Sequence, residues 1–170
     1  GSSVTIMPDK RTIVGYTTKN SGGVPANFKN YFVLRFDHEF SFVGSIEDGK
    51  LSEGKTSATS NHAMAVVGFH TKRGEQVNIQ VASSFISNEQ AQRNLKEVEG
   101  KTFDEVMSEG RKEWNNILGR IEVEDDNIDH LRTFYSCLYR SVLFPRSFYE
   151  FDEQGNPIHY SPYNGKVLSG

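Results

Sequence analysis

The sequence has 170 residues, of which 36% are hydrophobic and 12% aromatic, so it is long enough for one ordinary domain with an aromatic-rich core. Its 19 basic and 22 acidic side chains are mixed along the chain and give a net charge of −3, which argues against a nucleic-acid partner because no basic cluster is available to neutralise phosphates. The single cysteine, Cys137, excludes an internal disulfide and a cysteine-rich zinc site, and no apolar run reaches the ~18 residues of a membrane span.

Residues 4 to 85 have the composition of β structure. Short runs rich in Val, Ile, Phe and Tyr alternate with turn residues, and this pattern predicts the strands of an antiparallel sheet. We expect the sheet to have one solvated face and to form half of a β-sandwich. The predicted strands are VTIMP, RTIVGYTT, NYFVLRFD, FSFVGSIE, AMAVVGFHTK and QVNIQVASS.

Alternation within two of these strands predicts which side chains point inward. In NYFVLRFD, the period of two places Phe32, Leu34 and Phe36 on one face. In VNIQV, the same period predicts that Val77, Ile79 and Val81 point inward while Asn78 and Gln80 point outward.

Two polar segments separate the predicted strands. Residues 47–61 are rich in Gly, Ser and Thr, which predicts a long exposed loop. The tripeptide RGE at 73–75 predicts a hairpin turn, with Gly74 available for a positive φ.

Helical signals begin at Ser87. Ser87 with Gln90, and Thr102 with Glu105, have the spacing of capping boxes, and Gly100 provides a stop between the two predicted helices. The second helix has an apolar stripe at helical spacing and ends at Gly119. The stripe consists of Phe103, Val106, Met107, Trp114, Ile117 and Leu118.

A third amphipathic helix is predicted from Asp126 or Asn127 to the residues before Pro145. Beyond it, two aromatic-rich segments flank EQGNP. Gly155 and Pro157 in this stretch predict the turn of a hairpin.

None of the polar clusters has the pattern of an active site. The carboxylates lie in turns, helix first turns or exposed strand faces, where we expect them to stay solvated and ionised. The carboxylates considered are Asp37, Glu39, Glu47, Asp48, those of residues 122–129, Glu150, Asp152 and Glu153. The histidines lack the i, i+4 spacing of a metal pair; they are His38, His62, His70, His130 and His159.

Nucleophile signals are weak in the third helix. Ser136 and Ser141 lack the G-x-S-x-G turn of a hydrolase, and we expect Cys137 to be a small buried thiol beside the apolar stripe. The terminal aromatic residues either stack on a sugar or a partner, or cover the end of the preceding helix. They are Phe148, Tyr149, Phe151, Tyr160 and Tyr163.

Three stretches from residue 80 to residue 170 carry a family resemblance. SSFISNEQAQRNLKEV, then EWNNILGRIEVED, then LRTFYSCLYRSVLFPRSFYEFD resemble glycoside hydrolase family 92, the bacterial exo-acting α-mannosidases. The strand region is similar to the late strands of that family's N-terminal β-sandwich, less specifically. The matching positions are Asn88, Ala91, Asn94, Leu95, Trp114, Leu118, Ile121, Phe134, Tyr135, Leu138, Tyr139, Pro145 and Phe148.

The resemblance implies an α+β chain: part of an antiparallel β-sandwich, then linker helices, then the first helix and hairpin of an (α/α)6 barrel. The implied boundaries are 1–86 for the sandwich portion, 87–124 for the helical linker and 125–170 for the start of the catalytic domain. Both ends, including residues 1–3, have the character of a cut internal fragment. The missing remainder of the same protein is therefore an expected partner.

The resemblance also implies a function for the parent protein, namely calcium-dependent, inverting hydrolysis of terminal α-mannose from glycans, outside the bacterial cytoplasm (periplasmic, cell-surface or secreted). The family's general acid, general base and calcium ligands belong to later barrel segments. No catalytic or metal-binding residue is therefore assigned in this chain, and we expect the isolated fragment to be inactive and to need no calcium. The alternative is a noncatalytic carbohydrate-binding or docking β-domain with a helical appendage.

Overall fold

The computed structural model describes all 170 residues as eleven strands, three α-helices and two short 3₁₀ segments. The strands are β1 Ser2–Met7, β2 Thr12–Thr17, β3 Asn30–Phe36, β4 Phe42–Glu47, β5 Lys50–Glu53, β6 Ser57–Ser60, β7 Ala63–Gly68, β8 Ile79–Ser84, β9 Glu150–Phe151, β10 Pro157–Tyr160 and β11 Val167–Ser169. The helices are α1 Asn88–Asn94, α2 Phe103–Leu118 and α3 Ile128–Ser141, and the 3₁₀ segments are Pro8–Lys10 and Leu95–Val98.

The chain divides into two compact units. The sandwich unit consists of Gly1–Glu99 together with Tyr149–Gly170, and the helical unit consists of Gly100–Phe148. The sequence-based boundaries at residues 86 and 124 concern the domains of the parent protein and stay predictions.

Two antiparallel sheets form the sandwich. The larger has the strand order β6-β1-β2-β3-β8, and the smaller has the order β5-β4-β7. Ile6, Ile13 and Phe36 form the buried centre between them, surrounded by partly buried side chains that include Val43 and Val67 from the smaller sheet. The predicted α+β class and the sandwich are therefore confirmed.

The opposite face of the larger sheet is covered around β3, so the prediction of a solvated face is wrong there, although Thr5, Ser57 and Thr59 leave that face exposed at β1 and β6. Val33 of β3 is 0% exposed and packs against Ala91 and Leu95. These two residues lie on α1 and the 3₁₀ segment that follows it. The sequence pattern missed this contact because the covering helix is short and carries few apolar residues.

The predicted inward position of Val77 is confirmed, because it packs against the core between the sheets, whereas for the two residues within β8 the prediction is correct in face but wrong in burial. Ile79 pairs with Phe36 and Val81 pairs with Leu34, so they share the sandwich face of the sheet. They are nevertheless 51% and 60% exposed. The reason is that β8 is an edge strand, whereas the smaller sheet packs over the opposite edge, where β1 and β6 lie.

The predicted loop at 47–61 instead contains β5 and β6, so that prediction is wrong. β5 pairs with β4, and β6 pairs with β1. Ala58 is 2% exposed, and the Ser45 hydroxyl donates to the Ser57 carbonyl at 3.0 Å. Polar strands of this kind form because ladder hydrogen bonds need no apolar side chain, so composition alone reads them as loop.

The turn predicted at 73–75 is present, but it does not close a hairpin. The Glu75 N–H donates to the Lys72 carbonyl at 3.0 Å, and Gly74 has φ +84°. The flanking strands β7 and β8 belong to different sheets, so the turn carries the chain from one layer of the sandwich to the other.

The helix starts follow the predicted caps with one exception. Thr102 and Glu105 form both halves of a capping box, and the Asn127 side chain accepts from the Asp129 N–H. Ser87 accepts from the Gln90 N–H, but the Gln90 side chain bonds elsewhere, so the reciprocal half is absent. Within the helical unit, the Trp114 and Tyr139 rings lie 4.5 Å apart between centroids.

The terminal hairpin is confirmed and is larger than predicted. β9 and β10 pair on either side of a turn in which Gly155 has φ +79°. β10 also pairs with β11 to form a third, three-stranded sheet. β11 has only three residues and no flanking pattern, so it could not be predicted from the sequence.

Burial on both faces of the larger sheet predicts unequal costs for two aliphatic truncations. Leu95→Ala empties a fully buried site beneath β3 and should lower the free energy of unfolding by about 2–5 kcal/mol. Val81→Ala is the matched control on the exposed edge strand and should cost less than about 1 kcal/mol. Urea unfolding followed by circular dichroism measures both, and equal losses would contradict the burial described here.

Candidate functional site

A histidine held between two carboxylates is the densest cluster of titratable groups with mutual contacts in the sandwich unit. His38 Nδ1 lies 2.5 Å from Asp37 Oδ1, and His38 Nε2 lies 3.2 Å from Glu75 Oε1. Asp37 follows β3 directly, whereas Glu75 lies in the turn that connects the two sheets. Asn78 completes the cluster, because its backbone N–H and side-chain amide donate to Asp37 at 3.0 Å and 2.7 Å.

Both carboxylates of this cluster are held in the ionised form. Partial burial raises the pKa of Asp37, but hydrogen bonds from His38 and Asn78 outweigh it and leave the pKa below its ordinary value. The Lys72 backbone N–H, followed by His38, lowers the pKa of Glu75. The same hydrogen bonds, to Asp37 and then to Glu75, raise the pKa of His38.

We call the hydrogen-bonded cluster of Asp37, His38, Glu75 and Asn78 the clasp. Its geometry suits a structural role better than a glycosidase active site. Inverting hydrolysis needs one carboxyl that stays protonated and another that activates a water, separated by roughly 6.5–9.5 Å with the sugar between them. Here the imidazole fills the space between Asp37 and Glu75, and both carboxyl groups have lowered pKa values. Neither group can serve readily as a proton donor near neutral pH.

Four further carboxyls have lowered pKa values, each through hydrogen bonds. Lys55 lowers the pKa of Glu47, and the backbone N–H of Thr102 lowers that of Glu105. The other two are Glu89, whose largest cause is its own backbone N–H, and Asp152, whose largest cause is the Asn156 backbone N–H. A general acid requires the opposite shift.

The remaining histidines do not converge. The His62 backbone N–H, not its ring, donates to Asp48, His130 Nδ1 lies 3.0 Å from Asp125, and His159 Nδ1 lies 2.6 Å from the Gly170 carbonyl. No set of three or more His, Cys, Asp or Glu side chains is gathered as metal ligands would be. The residues present therefore do not fit a calcium site.

The nucleophile candidates are exposed on α3. Cys137 is exposed, so the expectation of a buried thiol is wrong; the apolar stripe runs beside it without covering it. The Ser141 hydroxyl donates to the Leu138 carbonyl at 2.7 Å within the same helix. Neither group contacts a base.

The terminal aromatic residues differ in exposure. Tyr163 is 94% exposed, and Tyr149 and Phe151 form an edge-to-face pair with centroids 5.3 Å apart. Tyr160 is partly buried and contacts Phe28 at 6.1 Å between centroids. The rings of Tyr149, Phe151 and Tyr163 are exposed and therefore accessible for stacking on a sugar. Tyr160 instead packs against Phe28.

A groove on the sandwich unit is shallow and lined mostly by polar residues. It has a volume of about 450 Å³ and lies where the N-terminal end of β1 meets the C-terminal ends of β2 and β6. Lys29 Nζ lies 4.1 Å from the centroid of the Tyr16 ring, so a cation already occupies one face of the groove's aromatic side chain. This groove could not be predicted from the sequence, because its lining residues come from distant segments.

The clasp around His38 predicts a pH-dependent contribution to stability. The raised pKa of His38 means that its contribution is complete below pH 6.5 and is lost as the pH rises through the folded-state value. The lowered pKa values of Asp37 and Glu75 mean that their contributions are complete above about pH 4.5 and are lost on acidification.

Thermal unfolding of wild-type and His38→Gln chains across pH 3–9 tests this. The difference in melting temperature should be greatest between about pH 4.5 and 6.5 and should shrink on both sides. His62→Gln is the matched control, because its ring makes no such pair. A difference that stays constant with pH would contradict the clasp.

Comparison with known proteins gives two family matches. The model described as the glycosyl hydrolase family 92 N-terminal domain matches residues 1–84, and that of the family 92 catalytic domain matches residues 90–170. Only residues 85–89, between the end of β8 and the first turn of α1, fall outside both.

Solved structures of the same family resemble the whole chain. A family GH92 inverting mannosidase from Bacteroides thetaiotaomicron is 46% identical, with a TM-score of 0.93, over 99% of this chain and 23% of that chain. A family GH92 α-mannosidase from the same organism, solved in complex with mannoimidazole, is 26% identical, with a TM-score of 0.82, over 99% of this chain and 22% of that chain.

A curated relative adds a match at lower coverage. An uncharacterized secreted glycosidase from Arthroderma benhamiae is 32% identical over 78 residues, which are 43% of this chain and 10% of the relative. The chain therefore spans between 10% and 23% of the length of the proteins described here. Because the two family models together match nearly every residue and the fold agrees with the solved structures, the chain belongs to glycosyl hydrolase family 92.

Proposed function

We propose that this chain is part of a calcium-dependent, inverting exo-α-mannosidase that releases terminal mannose from glycans. The observation that carries the proposal is the 46% identity, over 99% of the chain, to a structure named as an inverting mannosidase. The match of the catalytic-domain model to residues 90–170 favours the enzyme over a noncatalytic carbohydrate-binding module.

The chain supplies scaffold to this enzyme, and the remainder of the protein supplies the chemistry. Hydrogen bonds lower the pKa of six carboxyls of this chain, so these groups are ionised near neutral pH and do not act as proton donors. The groove at the start of β1 is shallow and open, so it would not enclose a sugar. The isolated chain is therefore inactive in this proposal.

Calcium in the parent enzyme is held outside this chain. The cation takes six to eight oxygen ligands, several of them carboxylates, and no such set is gathered here.

The proposed location is outside the cytoplasm of a bacterium: periplasmic, cell-surface or secreted. The fungal relative is described as secreted, and the structural relatives come from Bacteroides thetaiotaomicron. No helix of the chain is both long and apolar enough to cross a membrane.

Assays of the full-length parent and of the isolated 170 residues on an α-mannobioside test the proposal. The parent should release mannose first as the β-anomer, observable by proton NMR, because a single displacement inverts the anomeric carbon. A chelator should abolish the release, and added calcium should restore it. The isolated chain should release no mannose above the buffer blank.

Three outcomes would count against the proposal. Retention of configuration would remove the inverting mechanism, and full activity in the chelator would remove calcium. Turnover by the isolated chain would place a catalytic centre within these residues.

A further inference from the structure

Helix α1 makes contacts on two faces. Its apolar face packs on the larger sheet, and its polar face contacts the β9–β10 hairpin. Ala91 and Leu95, which follows the helix, pack on Val33 of the larger sheet. Gln90, which is only 2% exposed, and Asn94 stand one helical turn apart and contact the β9–β10 hairpin. Some 60 residues separate the helix from that hairpin along the chain.

Glu150 of β9 is the centre of the polar contact. Its Oε2 accepts from Asn94 Nδ2 at 2.7 Å, and its Oε1 accepts from the Phe85 N–H at 3.1 Å. The carboxylate thus joins β9 to both the helix and the residue that follows β8. Hydrogen bonds to a charged acceptor are stronger than neutral ones.

Gln90 adds a second connection beside Glu150. Its Nε2 donates to the Phe151 carbonyl at 2.7 Å and to Asn94 Oδ1 at 2.9 Å, and Arg93 donates to its Oε1. At the rim, Arg93 also donates to Glu153 at 2.8 Å, where the Glu153 side chain is 73% exposed.

An apolar contact supports the same docking from the far end of the terminal sheet. The Phe28 ring lies between Phe85, at 5.7 Å, and Tyr160 of β10, at 6.1 Å between centroids. Asn27 donates to the Gly165 carbonyl at 2.8 Å and accepts from the Tyr160 hydroxyl at 3.2 Å. Two separate contacts therefore fix the terminal sheet on the sandwich unit.

We infer that the polar face of α1, formed by Gln90, Arg93 and Asn94, is a docking surface for residues 149–170, and that this docking anchors those residues of the catalytic-domain match to the sandwich unit. The catalytic-domain model treats residues 90–170 as continuous, yet the chain leaves the sandwich unit at Glu99 and returns to it at Tyr149. The helical segment 100–148 is accordingly tethered to that unit at both ends.

The polar character of the surface makes it selective. An apolar surface could bind many different hairpins. The polar face of α1 instead requires a hairpin with a hydrogen-bond acceptor opposite two donors, Asn94 Nδ2 and the Phe85 N–H. A hairpin that lacked it would leave buried donors unpaired, which costs more than the bond itself contributes. The inference rests on these contacts and not on mannosidase activity.

Hydrogen exchange of the 170-residue chain tests the docking surface. Glu150→Gln replaces an acceptor with an amide group that faces two donors, so the amides of β9 and β10 and of Phe85 should exchange at least about tenfold faster. Glu153→Gln removes the same charge from the same hairpin at an exposed position and serves as the matched control. Its exchange should stay within about twofold of wild type.

A variant on the helix side separates docking from damage to the hairpin itself. Gln90→Ala leaves the hairpin sequence intact but removes the donor to the Phe151 carbonyl, so the amides of β9 and β10 should exchange faster than in wild type, even if Glu150→Gln alone unfolds the terminal sheet. Wild-type exchange in Glu150→Gln would overturn the inference. So would equal acceleration in Glu153→Gln, or wild-type exchange in Gln90→Ala.

Discussion

Strand β3 is buried on both of its faces, and the rest of the sandwich unit depends on that constraint. Val33 packs beneath α1, while Phe36 packs between the two sheets. β2 and β8 flank the strand, so its backbone is also paired on both sides. A single strand thereby links the inter-sheet core to the helix that follows the sheet, and a change in its register would expose both cores at once.

Aromatic side chains supply much of the buried apolar area of the core, because the chain has few aliphatic residues. Phe36, Phe40 and Phe69 form a cluster with centroid distances between 5.2 Å and 5.7 Å. Such rings bury large areas with few residues. Close packing also restricts the backbone nearby, since a Cβ on Gly15 would lie 2.6 Å from the Phe32 ring. The scaffold role proposed for this chain accords with this rigidity.

The sequence predicted the elements with strong local signals and missed those that depend on distant partners. Alternation placed β3 correctly, and the caps at Thr102 and Asn127 located α2 and α3. Strands β5 and β6 were missed because their stability comes from neighbouring ladders. The contact between His38 and Glu75 could not be predicted, because the two residues lie 37 positions apart and no local pattern connects them. Family resemblance, rather than any cluster of residues, pointed to the enzyme.

The return of the chain at Tyr149 makes the sandwich unit discontinuous in sequence. A protease that cuts once between α2 and α3 would therefore produce two polypeptides without separating them. Gln90 would remain on one piece and Glu150 on the other, still joined across the same surface. The nicked protein should elute as a single species under native conditions and resolve into two bands only after denaturation, which would make noncovalent complementation a property of this fold.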